Sequence, residues 1–167
     1  MRLAYADPPY PGCAHRYKDQ PDFGGEVDHK ALAKRLDSYD GFVLHTSSTG
    51  LASVLPLFGD TVRVMAWVKP FAAFKRNVSV AYAWEPVLVR SARKPVVSGR
   101  VVMRDWFSNS ITLRKDLVGA KPEALCRWLF EVVGAQPDDD LDDLFPGTGA
   151  VSRAWESWKS ELLRSAS

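Results

Sequence analysis

The chain has 167 residues, of which 46% are hydrophobic and 25% are charged, a composition typical of one globular domain. No apolar run approaches the ~20 residues of a membrane span. The sequence enters a strand-like run at once, so we expect no signal peptide, and the distant Cys13 and Cys126 predict reduced thiols in a cytoplasmic protein. We expect no metal centre, because the histidines and cysteines lack zinc-binding spacing.

Charge is distributed unevenly along the chain. Residues 63–121 contain twelve Lys and Arg against three acids, a net +9, whereas the remainder carries ten basic and seventeen acidic residues, a net −7. A basic segment of this kind is typical of a surface that faces phosphates, although a solvated basic surface gives the same count. We predict one domain over 1–167, with 71–118 as a basic, target-facing insert. The predicted nucleic-acid contacts are Lys69, Lys75, Arg76, Arg93 and Arg100.

The first element is a short buried strand over 3–6, followed at once by Asp7-Pro8-Pro9-Tyr10. Proline ends the strand, because it lacks an N–H and restrains the residue before it. In open α/β sheets, ligands bind at this carboxyl edge. An exocyclic amine of a nucleobase is a poor nucleophile, since its lone pair is delocalised into the ring. Asp7 and the carbonyl of Pro8 could accept its two N–H bonds and localise that lone pair, and Tyr10 could stack on the base. A turn with a buried tyrosine is the simpler interpretation.

Helices and strands then alternate, which predicts an α/β fold with a mostly parallel sheet covered by helices. The loop from Pro11 to Gly25 holds Tyr17 and Phe23, which either line a base pocket or fix the loop to the body of the domain. The predicted elements are a helix over 26–39, a buried strand over 41–45, a short helix over 51–58 with N-cap candidates at 46–49, and a strand over 62–68.

The middle of the chain has a less regular pattern. Residues 81–89 predict a strand that Pro86 could interrupt, and 96–103 form either a hairpin or strand-end loops. Its basic residues are interleaved with Trp84, Trp106 and Phe107. This combination suits a single strand or a flipped base, and core tryptophans under a basic surface give the same pattern.

A glycine turn lies between the last two predicted helices. The first helix covers 122–133 and ends at Gly134. A short strand then leads through Phe145-Pro146-Gly147-Thr148-Gly149 into a helix over 151–163. Glycine lets a backbone approach a ligand closely, and free helix N–H groups face the turn. Alone the turn indicates a dinucleotide site only weakly, because GxGxxG is not met, and the P-loop ending is absent.

The two motifs together resemble those of amino-group methyltransferases that use S-adenosylmethionine (SAM). Asp7-Pro8-Pro9-Tyr10 resembles their (D/N/S)-P-P-(Y/F/W) catalytic motif, and 143–149 resembles their D-P-F-x-G-S-G turn, with Leu144 in place of its proline. Lys121-Pro122 resembles the K-P of the β-ordered DNA members. The stretch ending in Trp67-Val68-Lys69-Pro70 is similar to the MT-A70 branch, which methylates N6 of adenine in DNA or RNA.

The resemblance implies a Rossmann-like class I SAM-methyltransferase sheet with circularly permuted motif order, the catalytic motif preceding the SAM turn. It implies SAM as cofactor, a flipped-out base and methyl transfer to N6 of adenine in DNA. Cytosine N4 and adenine in RNA are the alternative targets, and a non-catalytic nucleic-acid-binding subunit is the alternative class. The implied catalytic residues are Asp7, Pro8, Pro9 and Tyr10. The implied SAM residues are Ala6, Asp7, Lys121, Pro122, Asp143, Phe145, Pro146, Gly147, Thr148 and Gly149.

One departure from the family pattern concerns the SAM ribose. Family members usually continue past the SAM helix into a strand whose terminal acid binds the ribose hydroxyls, and the sequence given ends at Ser167. Three expectations follow: a homodimer or a partner subunit completes the pocket, the ribose is held otherwise, or SAM binding has been lost.

Overall fold

The structure, a computed structural model, describes residues 1–18, 24–71, 78–93, 102–111 and 120–165, except the side chains of Arg16 and Tyr17. The described strands are β1 (Arg2–Ala6), β2 (Gly41–His45), β3 (Arg63–Val68), β4 (Trp84–Arg90), β5 (Trp106–Ser108) and β6 (Asp140–Asp143). The described α-helices are α1 (His29–Leu36), α2 (Leu51–Val54), α3 (Glu123–Val133) and α4 (Ala150–Ser165). Short 3-10 helices cover Ala14–Tyr17 and Leu55–Leu57.

The six described strands form one sheet in the order β5-β3-β4-β2-β1-β6. β1 is parallel to β2 and β6, and β3 is parallel to β5, whereas β4 is antiparallel to both β2 and β3. The predicted mostly parallel α/β sheet is therefore confirmed, with one reversed strand. Because β1 and β6 are neighbours and parallel, the residues that follow them, Asp7 and Leu144, leave the sheet at the same edge.

The helices cover the sheet in two layers, each with its own core. On one face α3 and α4 pack on Tyr5, Val43, Trp67 and Val87. On the other face α1 and α2 pack on Ala4, Phe42, Leu44 and Leu88. The strand pattern explains this, since alternate residues of a strand point to opposite faces. No helix in the described part of the chain has the length and apolar character to span a bilayer.

The segment 71–118, predicted as an insert, contributes two strands to the sheet. β4 lies between β2 and β3, so this segment supplies part of the core and not only loops. Pro86 does not interrupt β4. Ala66 of β3 pairs with Pro86, but its N–H points away from β4 and donates to the carbonyl of Asp105. On the β2 side, the Pro86 carbonyl accepts from the N–H of Thr46, which lies just past the end of β2. The missing N–H of Pro86 therefore falls where the β2 ladder has ended.

Capping residues explain where the helices differ from the predicted bounds. α1 begins at His29 and not at Glu26, because the Asp28 side chain accepts from the N–H groups of Lys30 and Ala31. The helix predicted over 51–58 is α only to Val54 and continues as a 3-10 turn containing Pro56. α3 ends as predicted at Gly134, whose φ of 79° closes the helix in the left-handed conformation. The predicted hairpin over 96–103 lies largely outside the described residues.

Candidate active site

The Asp-Pro-Pro-Tyr motif forms the turn that leaves β1 at the carboxyl edge of the sheet. Pro8 is buried, whereas Asp7, Pro9 and Tyr10 are half-buried. The carbonyl of Tyr10 accepts from the N–H of Cys13 at 2.8 Å, which closes the following turn. The Asp7 side chain keeps a quarter of its surface exposed, so its carboxylate can meet a ligand from solvent.

Asp7 is bound to Lys121, the residue directly before the N-cap of α3. Lys121 Nζ lies 2.9 Å from Asp7 Oδ2 and 3.3 Å from Glu85 Oε1, and only 9% of the lysine side chain is exposed. Among the described residues, none donates a hydrogen bond to Asp7 Oδ1. The ammonium thus occupies one oxygen of Asp7 and leaves the other for a ligand.

Glu85, on β4, is the centre of a buried polar cluster at this edge. Its Oε1 lies 2.7 Å from Nδ1 of His45, and its Oε2 lies 2.7 Å from Nζ of Lys69. Beneath the two lysines lies the ring of Trp67, 4.4 Å from Lys69 Nζ and 5.4 Å from Lys121 Nζ, in cation–π contact.

Glu85 and Lys121 stay ionised because residues of opposite charge surround them, and not because they are exposed to water. Burial raises the pKa of Glu85, but Lys121, His45 and Lys69 outweigh it and hold that pKa well below the usual value. Burial lowers the pKa of Lys121, and the charges of Asp7 and Glu85 raise it beyond its ordinary value. Burial, Asp7 and Glu85 all raise the pKa of Tyr10 well above its usual value, so its phenol stays neutral.

The second motif lies beside the first. The N–H of Leu144 donates to the carbonyl of Tyr5 at 2.9 Å, which holds the end of β6 against the end of β1. Gly147 and Gly149 have φ angles of 46° and 69°, so the turn needs their lack of a Cβ. A Cβ at Gly147 would meet just one atom within 4 Å, the carbonyl oxygen of Phe145 at 3.9 Å, so the turn has open space above it.

Asp143, the last residue of β6, faces this turn. Its Oδ1 accepts from the N–H of Phe145 at 3.3 Å, whereas its buried Oδ2 has no hydrogen-bond partner among the described residues. Burial raises the pKa of Asp143, and the charge of Asp7 adds to that effect. A buried carboxylate oxygen without a donor is costly, and a ligand hydroxyl or amine would remove that cost.

The structure therefore brings together the residues of three predicted motifs: Ala6 to Tyr10, Lys121-Pro122, and Asp143 to Gly149. Lys121, which is predicted to lie at SAM, binds Asp7 and Glu85 in this structure. Lys69, predicted to contact nucleic acid, is 17% exposed and bound to Glu85.

Arg93, also predicted to contact nucleic acid, lies elsewhere. It binds Asp139, which precedes β6 and so lies at the opposite edge of the sheet from Asp7. Lys75, Arg76 and Arg100 lie outside the described residues, as does Phe23. Of the remaining basic residues in 63–121 that the structure describes, Arg63 pairs with Asp105 and Arg90 pairs with Asp37.

Sequence analysis missed His45 and Glu85. His45 ends β2 at the same carboxyl edge as Asp7, a position from which it could have been found. Glu85 could have been found as an acid within the otherwise apolar strand pattern of β4. Asp7, His45 and Glu85 offer ligand atoms within 4.8 Å of one another, but the ammonium groups of Lys69 and Lys121 already neutralise the two carboxylates.

No protein-family model matches the sequence, and no curated protein sequence matches it. Solved structures do match. M1.HpyAVI in complex with SAM has a TM-score of 0.61 at 18% sequence identity, over 95% of this chain and 79% of that chain. A second structure of M1.HpyAVI has a TM-score of 0.62 at 16% identity, over 94% of this chain and 76% of that chain. The chain has the M1.HpyAVI fold. The predicted fold class is thereby confirmed, whereas the circularly permuted motif order stays a prediction.

Proposed function

We propose that this chain transfers a methyl group from SAM to the exocyclic N6 amine of adenine in DNA. One observation carries the proposal: a carboxylate with a free oxygen, Asp7, lies beside an open glycine turn at one edge of a sheet with the M1.HpyAVI fold. M1.HpyAVI is a SAM-dependent DNA methyltransferase, and one of its structures is a complex with SAM.

The residues around the glycine turn fit SAM as the cofactor. The unpartnered Oδ2 of Asp143 offers an acceptor to a hydroxyl or an amine, and the open turn at Gly147 accepts a ligand against the backbone. The other residues proposed to line this site are Ala6, Lys121, Pro122, Phe145, Pro146, Thr148 and Gly149. When bound, SAM supplies a methyl group already activated by its sulfonium, so the protein needs to position the acceptor and not to activate the donor.

The Asp-Pro-Pro-Tyr turn is proposed to prepare the target amine. Asp7 Oδ1 and the carbonyl of Pro8 accept the two N–H bonds of the amine, which directs the nitrogen lone pair out of the base plane. Lys121 holds Asp7 Oδ2, so the carboxylate cannot rotate freely. The rigid prolines fix the spacing of the two acceptors. Tyr10 provides a half-buried ring on which the base stacks.

DNA is proposed as the substrate on two grounds. M1.HpyAVI acts on DNA, and residues 63–121 carry a net +9. Because Arg63, Lys69, Arg90, Arg93 and Lys121 are bound to acids within the protein, we assign the phosphate contacts to the other basic residues of this segment, above all Lys75, Arg76 and Arg100.

A second copy of the chain, or a partner subunit, is proposed to bind at the β5 end of the sheet, opposite the end that carries the SAM turn after β6. One face of β3, β4 and β5 exposes apolar side chains that an interface would bury: Val64 at 36%, Trp84 at 42% and Trp106 at 42%. The two free thiols, Cys13 and Cys126, fit a reducing compartment, and we propose that the protein acts in the cytoplasm.

The test is calorimetric titration of SAM, followed by transfer of a labelled methyl group to unmethylated DNA. We expect SAM to bind and the label to appear as N6-methyladenine after digestion. Label in N4-methylcytosine, or transfer to RNA alone, would replace the proposed target. Failure of SAM to bind in the presence of DNA would overturn the proposed function in favour of a non-catalytic subunit.

A further inference from the structure

Glu85 makes its hydrogen bonds inside the protein. It is 6% exposed and contacts donors from three different segments. They are His45 Nδ1 and Lys121 Nζ on Oε1, and Lys69 Nζ on Oε2. Because both of its oxygens face donors of the protein, an effect of Glu85 on the chemistry passes through these partners.

One of those partners leads to a proposed catalytic residue. Lys121 Nζ, 3.3 Å from Glu85 Oε1, is 2.9 Å from Asp7 Oδ2. Glu85 thus fixes the cation that orients Asp7. Without Glu85, the Lys121 ammonium would have one acid partner instead of two.

A purely structural role would give a similar cluster, and charge distinguishes the two roles. Asp7 and Glu85 supply two negative charges, and Lys69 and Lys121 supply two positive charges. If Glu85 only neutralised a buried lysine, removing its charge together with the Lys69 charge would restore the balance. If Glu85 positions Lys121, that double change would restore stability without restoring the geometry at Asp7.

We propose that Glu85 is a positioning residue for the methyl transfer, holding Lys121 on Asp7 without touching substrate or cofactor. The proposal rests on the proposed function. It assigns the strand β4, and not only the turns after β1 and β6, to the catalytic machinery.

The decisive comparison is between Glu85→Gln, the charge-balanced pair Lys69→Met with Glu85→Gln, and the control Glu123→Gln. Glu123 is an exposed acid that binds Arg127, and no contact joins it to Glu85 or Asp7 among the described residues. We expect Glu85→Gln to lower kcat about 10-fold, because Lys121 loses one of its two charge-assisted acid contacts, with KM for DNA and the Kd of SAM within threefold of the wild type. The charge-balanced pair should recover the melting temperature lost in Glu85→Gln and leave kcat low. Recovery of both would overturn the proposal.

Two further measurements test whether Glu85 acts through Lys121. In a Lys121→Met background, Glu85→Gln should cost little more, because residues that act through one another are not additive; fully additive losses would contradict the proposal. In cofactor-free protein with ¹⁵N-labelled lysine, the slowly exchanging Nζ signal of Lys121 should be lost in Glu85→Gln and kept in Glu123→Gln. A signal retained in both would also contradict it. Wild-type protein that transfers no methyl group would overturn the proposed function itself, whereas an active wild type with an equally active Glu85→Gln overturns this proposal alone.

Discussion

Lys121 Nζ lies 2.9 Å from Asp7 Oδ2, although the two residues are 114 positions apart in the chain. Asp7 follows the strand β1, and Lys121 precedes the helix α3 that covers the same edge of the sheet. The contact joins two motifs that the sequence shows only separately. It also gives the carboxylate one occupied and one free oxygen, which is the arrangement that hydrogen-bond acceptance from an amine requires.

Asp7→Ala should abolish methyl transfer and leave SAM binding largely intact. The change removes an acceptor from the target amine, and loss of one such preorganised contact costs about 10²–10³-fold in rate. Single-turnover methyl transfer and calorimetric titration of SAM measure the two effects separately. Asp37→Ala, which removes an exposed acid bound to Arg90, is the control. Unchanged transfer in Asp7→Ala would refute the catalytic assignment.

Lys121→Met should lower kcat about 10- to 100-fold, the equivalent of a charge-assisted hydrogen bond of about 1.5–3 kcal/mol. The methionine fills the same space, but it leaves Asp7 free to rotate and leaves Glu85 with one ammonium fewer. Lys34→Met, at an exposed position on α1, is the matched control. If both variants kept the wild-type kcat, Lys121 would have no part in the reaction.

Gly147→Ala should weaken SAM binding about tenfold. Its φ of 46° costs an alanine about 1–2 kcal/mol of backbone strain, and the new Cβ would stand in the open space above the turn. Gly59→Ala separates the two effects, because Gly59 has a φ of 57° and open space, but lies at the far end of α2. Both variants should lose similar thermal stability, and a loss of SAM affinity in both would contradict the assignment of the turn.

Most residues at the carboxyl edge of the sheet could be predicted from the sequence, because the patterns that indicate them are local. An acid fixed by two prolines after a buried strand, and glycines between a strand and a helix, are readable within a few residues, and β1, β2 and α3 followed the predicted patterns. Glu85 was not predicted, because its contacts form only when β4 lies antiparallel between β2 and β3. That pairing brings Glu85 to His45, forty residues away, and no local pattern encodes it.

Charge counting gave a weaker result for a physical reason. The basic excess of residues 63–121 was interpreted as a phosphate-facing surface, yet several of those side chains have internal acid partners. Lys69 is bound to Glu85, and Arg93 to Asp139 at the opposite edge. A count of charges along the chain cannot separate a cation that neutralises a buried carboxylate from one that faces solvent.

Lys75 and Arg76 changed together to Ala should weaken DNA binding and reduce its salt dependence. Each lost phosphate contact lowers the slope of log K against log salt by about 1, so the double change should lower it by about 2. Lys30 and Lys34 changed together to Ala, both exposed on α1, remove the same charge from a surface away from β3. An unchanged slope in the first double variant would exclude Lys75 and Arg76 from the phosphate-binding surface.

Asp139→Asn should destabilise the fold at neutral pH without acting on the proposed site. Burial raises the pKa of Asp139, but hydrogen bonds from Arg93, the N-terminus and the Gln136 amide outweigh it and lower that pKa to about 2, from an ordinary 3.8. A shift of that size corresponds to about 2 kcal/mol of stability. This contribution is complete above the unfolded-state pKa and is lost as the pH falls through the folded-state pKa.

Urea unfolding of wild type and Asp139→Asn from pH 7 to pH 2 therefore measures the linkage directly. The difference in unfolding free energy should be about 2 kcal/mol or more at pH 7, stay constant to about pH 4.5, and shrink between pH 4 and pH 2 as the wild-type carboxylate takes up its proton. Asp138→Asn, the neighbouring exposed acid, should show no such change. A difference that stayed constant down to pH 2 would mean that the ionised carboxylate of Asp139 does not stabilise this edge of the sheet.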